Sequence, residues 1–359
     1  MKSKNDKINL KDFSLSEIQN YMVEIGESSF RGKQIFNWMY DKLVTDFDEM
    51  NNIPLKLREK LKESTVISSL KFISKQTSSS TNTEKYLFST HDGHKIESVI
   101  IPEHDRRTLC ISTQVGCPLD CKFCATGLMG FTRNLTVGEI IDQYLLASKY
   151  VAPKPITNIV YMGMGEPFLN FDATLKSLNI LLKDLGNKIG RNRITVSTSG
   201  IPKKIIELAD SGLRVKLALS LHSCFDEVRN KIMPINLKYN LEENIEALKY
   251  YAKKTKTKIM FEYIMLKDIN DRKEDLKALV KLCSLIPSKV NLIPFNSISH
   301  MATGGISAKL EPTPREKINE FAEKIMQKNI FVMLRNTQGD DIAAACGQLA
   351  VKSDARIKI

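Results

Sequence analysis

The 359-residue sequence lacks the features that mark several classes of protein. No segment approaches the roughly 20 consecutive apolar residues that a membrane-spanning helix requires. Hydrophobic residues make up 42% of the chain and charged residues 26%, which excludes a collagen-like or disordered protein. The first 13 residues carry charges throughout and have no apolar stretch like that of a signal peptide, so we expect a cytoplasmic protein.

Acidic side chains are outnumbered. The 41 Asp and Glu residues stand against 53 Lys and Arg residues, which gives a net charge of +12. Such an excess favours an acidic partner, and nucleic acid is the first candidate. A lysine-rich composition that only keeps the protein soluble would give the same balance, so charge alone does not select RNA or DNA.

The first 76 residues are predicted to be helical. The run Ser14-Leu15-Ser16-Glu17 has the pattern of a capping box before apolar residues at helical spacing. Two further helices are predicted over residues 33–43 and 55–62. A polar stretch over residues 74–84 predicts a loop, and an Asp92-Gly93 turn then predicts a β-hairpin.

From residue 108 the pattern changes to alternating strands and helices. Six strands are predicted, over residues 108–113, 158–162, 193–197, 216–221, 258–265 and 290–294. Repeated βα units imply parallel strands with right-handed crossovers, and six units form an incomplete barrel rather than a closed one. Polar residues follow five of the strand ends, where α/β barrels carry their chemistry.

The predicted fold class is therefore α/β, a partial (β/α)6 barrel with an N-terminal helical and β-hairpin accessory domain. We divide the chain into a helical accessory domain (1–76), a linker and β-hairpin (77–104), the barrel (105–300) and a C-terminal extension (301–359).

Three of the seven cysteines are crowded into one loop. Cys117, Cys121 and Cys124 have Cys-x3-Cys-x2-Cys spacing directly after the first barrel strand, and no histidine lies within ten residues of them. Thiolates at this spacing suit an iron–sulfur cluster, and three ligands on a four-iron cluster leave one iron open. The alternatives are a zinc site with a distant fourth ligand, or buried free cysteines.

The cysteine loop and the GMGEP turn at residues 163–167 together resemble the radical S-adenosylmethionine (SAM) superfamily, whose cofactors are a [4Fe–4S] cluster and SAM. A longer resemblance, from about residue 97 to residue 349, is to the RlmN/Cfr family, which methylates adenosine in RNA. It includes Cys110 and Cys346. Taken alone, each could be a core residue, which suits the strand position of Cys110 better than the polar loop around Cys346.

The resemblance implies a role for each matched residue. Cys117, Cys121 and Cys124 are the cluster ligands. Cys346 is the cysteine that becomes methylated, Cys110 is its partner thiol, and Glu97 is a general base. Seven positions match the residues that contact SAM: Gly165, Glu166, Ser197, Ser220, Leu221, His222 and Asn296.

Pro167 and the QGDD run before Cys346 favour the RlmN branch of the family. Enzymes of that branch methylate C2 of an adenosine in 23S rRNA near the peptidyl-transferase centre, and in some bacteria C2 of the adenosine beside the tRNA anticodon. The alternative is methylation at C8 of the same rRNA adenosine, as in the Cfr branch. The resemblance also implies an electron donor such as flavodoxin, and we expect a monomer. An RNA-binding iron–sulfur protein without catalysis is an alternative of another class.

The chemistry explains why two further cysteines are needed. C2 of adenine is neither a nucleophile nor a useful acid, whereas a cysteine thiolate is a nucleophile at neutral pH. We hypothesise that Cys346 takes a methyl group from one SAM, and that a second SAM, cleaved reductively, supplies a radical that removes a hydrogen atom from it. Addition to C2 joins protein and RNA. Release then requires loss of the C2 proton, to Cys110 or Glu97, and a Cys110–Cys346 disulfide.

The excess of positive charge does not lie in the front of the chain. Residues 1–76 hold 13 basic and 11 acidic side chains, whereas residues 183–216 hold 8 and 3. We expect this second stretch to lie near the barrel mouth and contact phosphate, unless it is a solvated helix face. Its basic residues include Arg191, Arg193, Lys203 and Lys204. By resemblance, Arg31, Lys33 and Trp38 of the front domain also contact RNA, although Trp38 would suit the core as well.

Overall fold

The computed structural model describes residues 7–67, 70–185, 189–298, 301 and 304–351. Several helices begin at capping boxes, in which Ser14, Thr136 or Asn240 accepts a backbone N–H and a glutamate three residues on binds the N–H of the cap. The helices are α1 (Leu15–Glu24), α2 (Ser29–Tyr40), α3 (Leu55–Ser64), α4 (Ala125–Leu128), α5 (Val137–Val151), α6 (Phe171–Asn179), α7 (Pro202–Asp210), α8 (Asp226–Ile232), α9 (Leu241–Thr255), α10 (Lys273–Leu285) and α11 (Arg315–Met326). None of these helices is long and apolar enough to cross a lipid bilayer.

The strands are β1 (Ile8–Asn9), β2 (Thr65–Val66), β3 (Lys71–Thr77), β4 (Glu84–Ser89), β5 (Lys95–Glu103), β6 (Arg106–Cys110), β7 (Gln114–Gly116), β8 (Phe131–Asn134), β9 (Asn158–Tyr161), β10 (Ile194–Thr198), β11 (Lys216–Ser220), β12 (Ile259–Met265), β13 (Ser288–Pro294) and β14 (Val332–Leu334). Ten of them form one sheet in the order β14-β13-β12-β11-β10-β9-β6-β5-β4-β3. The strands from β6 to β14 in this sheet are parallel, and β3 to β6 pair antiparallel.

The predicted partial barrel is confirmed. Its six strands are β6 and β9–β13, and β14 adds a seventh parallel strand. The loop predicted over residues 74–84 is wrong in its first part, because β3 extends to Thr77. Every residue of β3 is exposed, since it is an edge strand that pairs only with β4. An edge strand of this kind needs no apolar alternation, so the sequence shows none.

The hairpin and the last strand both belong to the barrel sheet. Strand β5 pairs with β6 on one side, and β14 pairs with β13 on the other. The division of the chain into four segments stays a prediction, and its boundary at residue 300 lies outside the described residues.

The basic stretch is split between the two ends of the barrel. Arg191 and Arg193 precede β10, so they lie at its amino end, away from the mouth, and our expectation for these two residues is wrong. Strand β10 begins only at Ile194, so both arginines lie before it and not at its carboxyl end. Lys203 and Lys204 follow β10 in α7, on the carboxyl side, and Lys204 binds Glu207 at 2.6 Å.

A buried ion pair joins the N-terminal helices to the barrel. Lys11 Nζ lies 2.6 Å from Asp142 Oδ1 on α5, and both residues are buried. The other Asp142 oxygen accepts the Leu70 N–H at 2.9 Å. Gly138 permits the close approach, because a Cβ there would lie 2.9 Å from the Cβ of Lys11.

We predict that Lys11→Met lowers the free energy of unfolding by about 3 kcal/mol, because it leaves the Asp142 carboxylate buried without its cation. Urea denaturation of the protein measures this loss. The double variant Lys11→Met/Asp142→Asn should recover part of it. The control is Lys249→Met, which breaks an exposed pair with Glu246 and should cost less than about 1 kcal/mol. Equal, small losses for Lys11 and Lys249 would contradict the prediction.

Candidate active site

The cysteine loop folds so that its three thiols line one cavity. Gly116 ends β7 with a φ of +75°, and the Cys117 N–H then binds the Gly130 carbonyl at 2.8 Å. The Cys124 N–H binds the Cys121 carbonyl at 3.1 Å, and α4 begins directly afterwards. The cavity, with its open mouth, contains about 930 Å³ of space free of protein atoms. It lies at the carboxyl ends of the barrel strands.

The donor set suits a metal cluster. Burial raises the pKa of Cys117 to about 12 and raises the pKa of Cys124. It also raises the pKa of Cys121 well above its ordinary value, and the neighbouring thiols of Cys124 and Cys117 add to this. Three soft ligands in one cavity need a strong positive charge to become thiolates together, and bound metal supplies that charge.

The GMGEP turn forms a second wall. Gly165 has a φ of +97°, and a Cβ there would lie 2.5 Å from the Cβ of Gln114, so this position requires glycine. The Glu166 carboxylate accepts the N–H groups of Phe168 at 3.0 Å and Ser199 at 2.8 Å. It therefore ties the turn after β9 to the loop after β10. Burial raises the pKa of this carboxyl despite those hydrogen bonds.

The end of β11 forms the third wall. Ser220 and His222 line the cavity, as does Ser197 from β10, whereas the side chain of Leu221 is fully buried in the core. His222 Nδ1 accepts the Ile264 N–H at 3.0 Å. The ring is therefore neutral and carries its proton on Nε2.

The C-terminal loop closes the cavity and brings Cys346 to it. The Gly347 carbonyl accepts the Ala125 N–H at 2.7 Å, and the Leu349 carbonyl accepts the Thr126 hydroxyl at 2.5 Å. Cys346 is exposed to the cavity that the three cysteines line. A residue more than 200 positions away in sequence thus faces the cysteine loop.

Two of the other predicted site residues lie in an adjoining cavity. Cys110 and Asn296 line it together with Cys346, which belongs to both cavities. Asn296 Nδ2 donates to the Cys346 carbonyl at 3.1 Å. Both Cys110 and Cys346 are free thiols.

Glu97 does not line the cavity that Cys110 and Cys346 share. It lines a different cavity, together with residues of the C-terminal loop such as Asp340 and Ala350. One carboxylate oxygen lies 3.1 Å from Lys85 Nζ, and the other accepts the Ala350 N–H at 3.1 Å. In this position Glu97 holds the loop that carries Cys346.

Known proteins match this chain over nearly its whole length. A family model described as the ribosomal RNA large subunit methyltransferase N-terminal domain matches residues 8–67, and the radical SAM superfamily model matches residues 111–283. A probable dual-specificity RNA methyltransferase RlmN from Thermotoga neapolitana is 45% identical over 345 residues, 96% of this chain and 98% of that protein. The protein so named from Christiangramia forsetii is 41% identical over 353 residues, 98% of each. The chain belongs to the RlmN family.

A solved structure agrees with this assignment. The crystal structure of a radical SAM methyltransferase from Sphaerobacter thermophilus has a TM-score of 0.87 and 38% identity, covering 95% of this chain and 98% of that chain. The chain is thus an RNA methyltransferase, and its cofactors are the [4Fe–4S] cluster and SAM of the radical SAM superfamily. The family resemblance predicted from the sequence is confirmed, and the non-catalytic alternative is wrong.

Sequence reasoning missed the residues that position this RlmN-family site. Arg229 is fully buried, and its guanidinium donates to the carbonyls of Ser199 at 3.0 Å, Ser220 at 2.9 Å and Leu221. Gln114 Oε1 accepts the Glu166 N–H at 2.8 Å. Glu262 lines the main cavity, and burial raises its pKa to about 7. Each is a single polar residue in an apolar strand or short helix, a signal too weak to interpret alone.

The front-domain residues that were expected to contact RNA lie near one another. Arg31 Nη1 reaches the Asn52 carbonyl at 3.5 Å, and Trp38 Nε1 donates to the Asn52 side chain at 2.5 Å. Trp38 is half-buried against the core, and Lys33 is exposed. Their contact with RNA stays a prediction.

We predict that His222 destabilises the folded protein as the pH falls. Burial, and then the charge of Arg229, lower its pKa from 6.5 to about 3. Between these two pKa values the unfolded chain binds more protons at this histidine than the folded chain does. The free energy of unfolding therefore decreases as the pH falls from about 6.5, by up to about 1.4 kcal/mol per pH unit from this residue.

The variant His222→Asn can still accept the Ile264 N–H and should lose less stability than the wild type between pH 6.5 and 4.5. Urea unfolding at several pH values measures the difference. His104→Asn, at an exposed position, should keep the pH dependence of the wild type. An unchanged slope in His222→Asn would refute the prediction.

Proposed function

We propose that this enzyme methylates C2 of adenosine in 23S rRNA at the peptidyl-transferase centre, and C2 of the adenosine beside the anticodon in tRNA, through a methylated Cys346. The observation that carries the proposal is the placement of Cys346, which is exposed to the cavity lined by the three clustered cysteines. A methyltransferase that acts on a nucleophilic nitrogen or oxygen needs no thiol there, whereas a thiol that first accepts the methyl group provides a route to an inert carbon.

The cavity supports the assignment of the cofactor-binding residues. Cys117, Cys121 and Cys124 would hold the cluster. SAM would lie against the surrounding walls, formed by Gly165, Glu166, Ser197, Ser220 and His222. The sequence resemblance adds Leu221, whose side chain is buried in the core, and Asn296, which lines the adjoining cavity with Cys346. When bound, these cofactors supply a methyl group and a radical that removes a hydrogen atom from a methyl carbon. Arg229 would support this site by holding in place the backbone at Ser199, which follows β10, and at Ser220, the last residue of β11.

In the remaining steps Cys346 carries the methyl group and Cys110 releases the product. The Cys346 thiolate accepts the methyl group, whose carbon later bonds to C2 of the adenine. After the adduct has returned one electron to the redox system that supplied it, the Cys110 thiolate removes the C2 proton and passes it to solvent, because Cys110 lines a cavity with Cys346, whereas Glu97 is bound by Lys85 and by the Ala350 N–H. The Cys110 thiolate then attacks the sulfur of Cys346 and forms a disulfide. The S–C bond breaks with its electron pair going to the carbon, which takes up a proton and becomes the methyl group.

The expected partners rest on the sequence resemblance and, for α7, on the distribution of charge. We expect the RNA to be contacted by the front domain and by the basic residues of α7, and the target adenine to leave its stack to reach Cys346. We also expect a flavodoxin-type electron donor, a monomeric enzyme and a cytoplasmic location.

The product nucleoside tests the proposal directly. The enzyme, with its cluster reconstituted under anaerobic conditions, is incubated with SAM, a reductant and unmethylated 23S rRNA or tRNA, and the digested RNA is analysed by mass spectrometry. We expect 2-methyladenosine. Detection of 8-methyladenosine would favour the Cfr-type alternative, and intact SAM without methylated adenosine would refute both.

We predict that Cys110→Ala accumulates a covalent complex of protein and RNA, because no thiol remains to release Cys346 from the adduct. Denaturing gel electrophoresis with labelled RNA measures the complex. Cys283→Ala is the matched control, since this cysteine lies in α10 and should turn over normally. Unmodified, uncrosslinked RNA with Cys110→Ala would contradict the role of Cys110.

A further inference from the structure

A guanidinium group lies in the cavity that Cys110 and Cys346 share. Arg335 follows β14 directly, and its backbone N–H donates to the Leu292 carbonyl at 2.9 Å, which holds it beside β13. Its side chain lines the cavity together with the two cysteines. None of the steps described above uses this residue.

Barrel curvature explains how these residues meet. Cys110 ends β6 and Arg335 follows β14, and these strands lie at opposite ends of the parallel part of the sheet. The sheet curves until the two strand ends face one another, and the C-terminal loop with Cys346 fills the gap between them. The juxtaposition therefore belongs to the catalytic end of the barrel.

Arg335 is half-buried and forms no direct ion pair within the described residues, although its charge lowers the pKa of the nearby Glu262. Its Nε atom is buried and has no hydrogen-bond partner among them. A buried nitrogen without a hydrogen-bond partner is costly, so such a group is retained where an opposite charge develops. Glu103 also lines this cavity but is paired with Arg106 at 2.7 Å, so the two thiols are the unpaired groups there that can become negative.

Methyl transfer requires Cys346 as a thiolate, and the surroundings oppose this form. Although the residue is exposed to the cavity, desolvation of its thiol by the surrounding protein raises the pKa of Cys346, and the nearby Glu262 raises it further, whereas Arg335 lowers it. For Cys110, burial and then Cys346 raise the pKa to about 12, and Arg335 again lowers it. Arg335 is the cation that acts on both thiols.

We propose that Arg335 is a positioning residue whose fixed positive charge makes Cys346 the nucleophile of methyl transfer. The inference rests on the proposed function, in which Cys346 accepts a methyl group. The thiol loses its proton to solvent, and its electron pair forms the new S–C bond. The sulfonium S–C bond of SAM breaks, and S-adenosylhomocysteine leaves with the electron pair of that broken bond.

The positive charge of Arg335 then stabilises the thiolate of Cys110. Methylated Cys346 is a neutral thioether, so after the transfer the guanidinium faces Cys110 as the remaining ionisable thiol of the pair. Cys110 must become a thiolate to attack Cys346 sulfur. One arginine thus supports the two nucleophilic steps in sequence.

A backbone phosphate of the RNA is the other anion that Arg335 could bind. The burial of Nε beside the thiols favours the first interpretation, since a phosphate needs the open face of a guanidinium. The two interpretations differ in their effect on thiol reactivity in the absence of RNA.

The test is the pH profile of Cys346 alkylation by iodoacetamide in the cluster-loaded enzyme without SAM or RNA. Peptide mass spectrometry follows Cys346, with Cys283 as the internal reference thiol. In Arg335→Met we expect alkylation of Cys346 to be about tenfold slower below the plateau, because a rise of one pKa unit lowers the thiolate fraction tenfold. The midpoint of the profile should move to higher pH.

Two variants separate charge from packing. Arg335→Lys keeps the charge and should keep a profile close to that of the wild type. Glu262→Gln removes the opposing negative charge and should move the midpoint to lower pH. A profile unchanged in Arg335→Met, or a rate reduced equally at every pH, would overturn the proposal. An unchanged profile with weakened RNA binding would assign Arg335 to the RNA instead.

The failure of the proposed function would look different. Mass spectrometry of wild-type Cys346 after incubation with SAM shows whether the residue carries a methyl group. Methylated Cys346 with an unchanged alkylation profile in Arg335→Met would refute the role of Arg335 alone. Unmethylated Cys346 would refute the proposed function, and with it the methyl-transfer step assigned to Arg335.

Discussion

The contacts between the C-terminal loop and the cysteine loop determine whether this protein has one site or two unrelated halves. Ala125 and Thr126, at the start of α4, donate to the carbonyls of Gly347 and Leu349. Asn296 adds a third hydrogen bond, to the Cys346 carbonyl. These bonds bring a thiol from near the end of the chain to the cavity at the carboxyl ends of the barrel strands, and the incomplete barrel leaves the gap that the loop needs.

Backbone carbonyls at the strand ends impose a second requirement. Parallel strands leave polar groups at their carboxyl ends, and burial under a cofactor cavity removes them from water. Arg229 satisfies carbonyls from the ends of two strands with one guanidinium, and Glu166 accepts N–H groups from two loops. The rigidity of the site therefore comes from buried, charge-assisted hydrogen bonds beneath the residues that would touch SAM.

Electrostatics divide the cavity into regions with different chemistry. Near the cysteine loop, burial and neighbouring thiols disfavour negative charge, which suits a region that metal would neutralise. Near Cys110 and Cys346, the charge of Arg335 opposes the effect of burial. The proposed cluster ligands and the proposed nucleophilic cysteines therefore lie in adjoining cavities with different electrostatic surroundings.

The amino-acid sequence by itself determined the elements and the family. Apolar periodicity predicted the six barrel strands, capping residues predicted the start of α1, and the spacing of three cysteines predicted a shared loop, because each signal is local. Tertiary structure alone decided that β3 continues the sheet edge, that Arg191 lies at the far end of the barrel, and that Glu97 pairs with Lys85 and accepts the Ala350 N–H. The tertiary structure also placed Arg229 beneath the ends of two strands and Arg335 in the cavity of Cys110 and Cys346. Their partners lie on other strands and loops, and a single charged residue carries no periodic pattern that could show where the chain folds it.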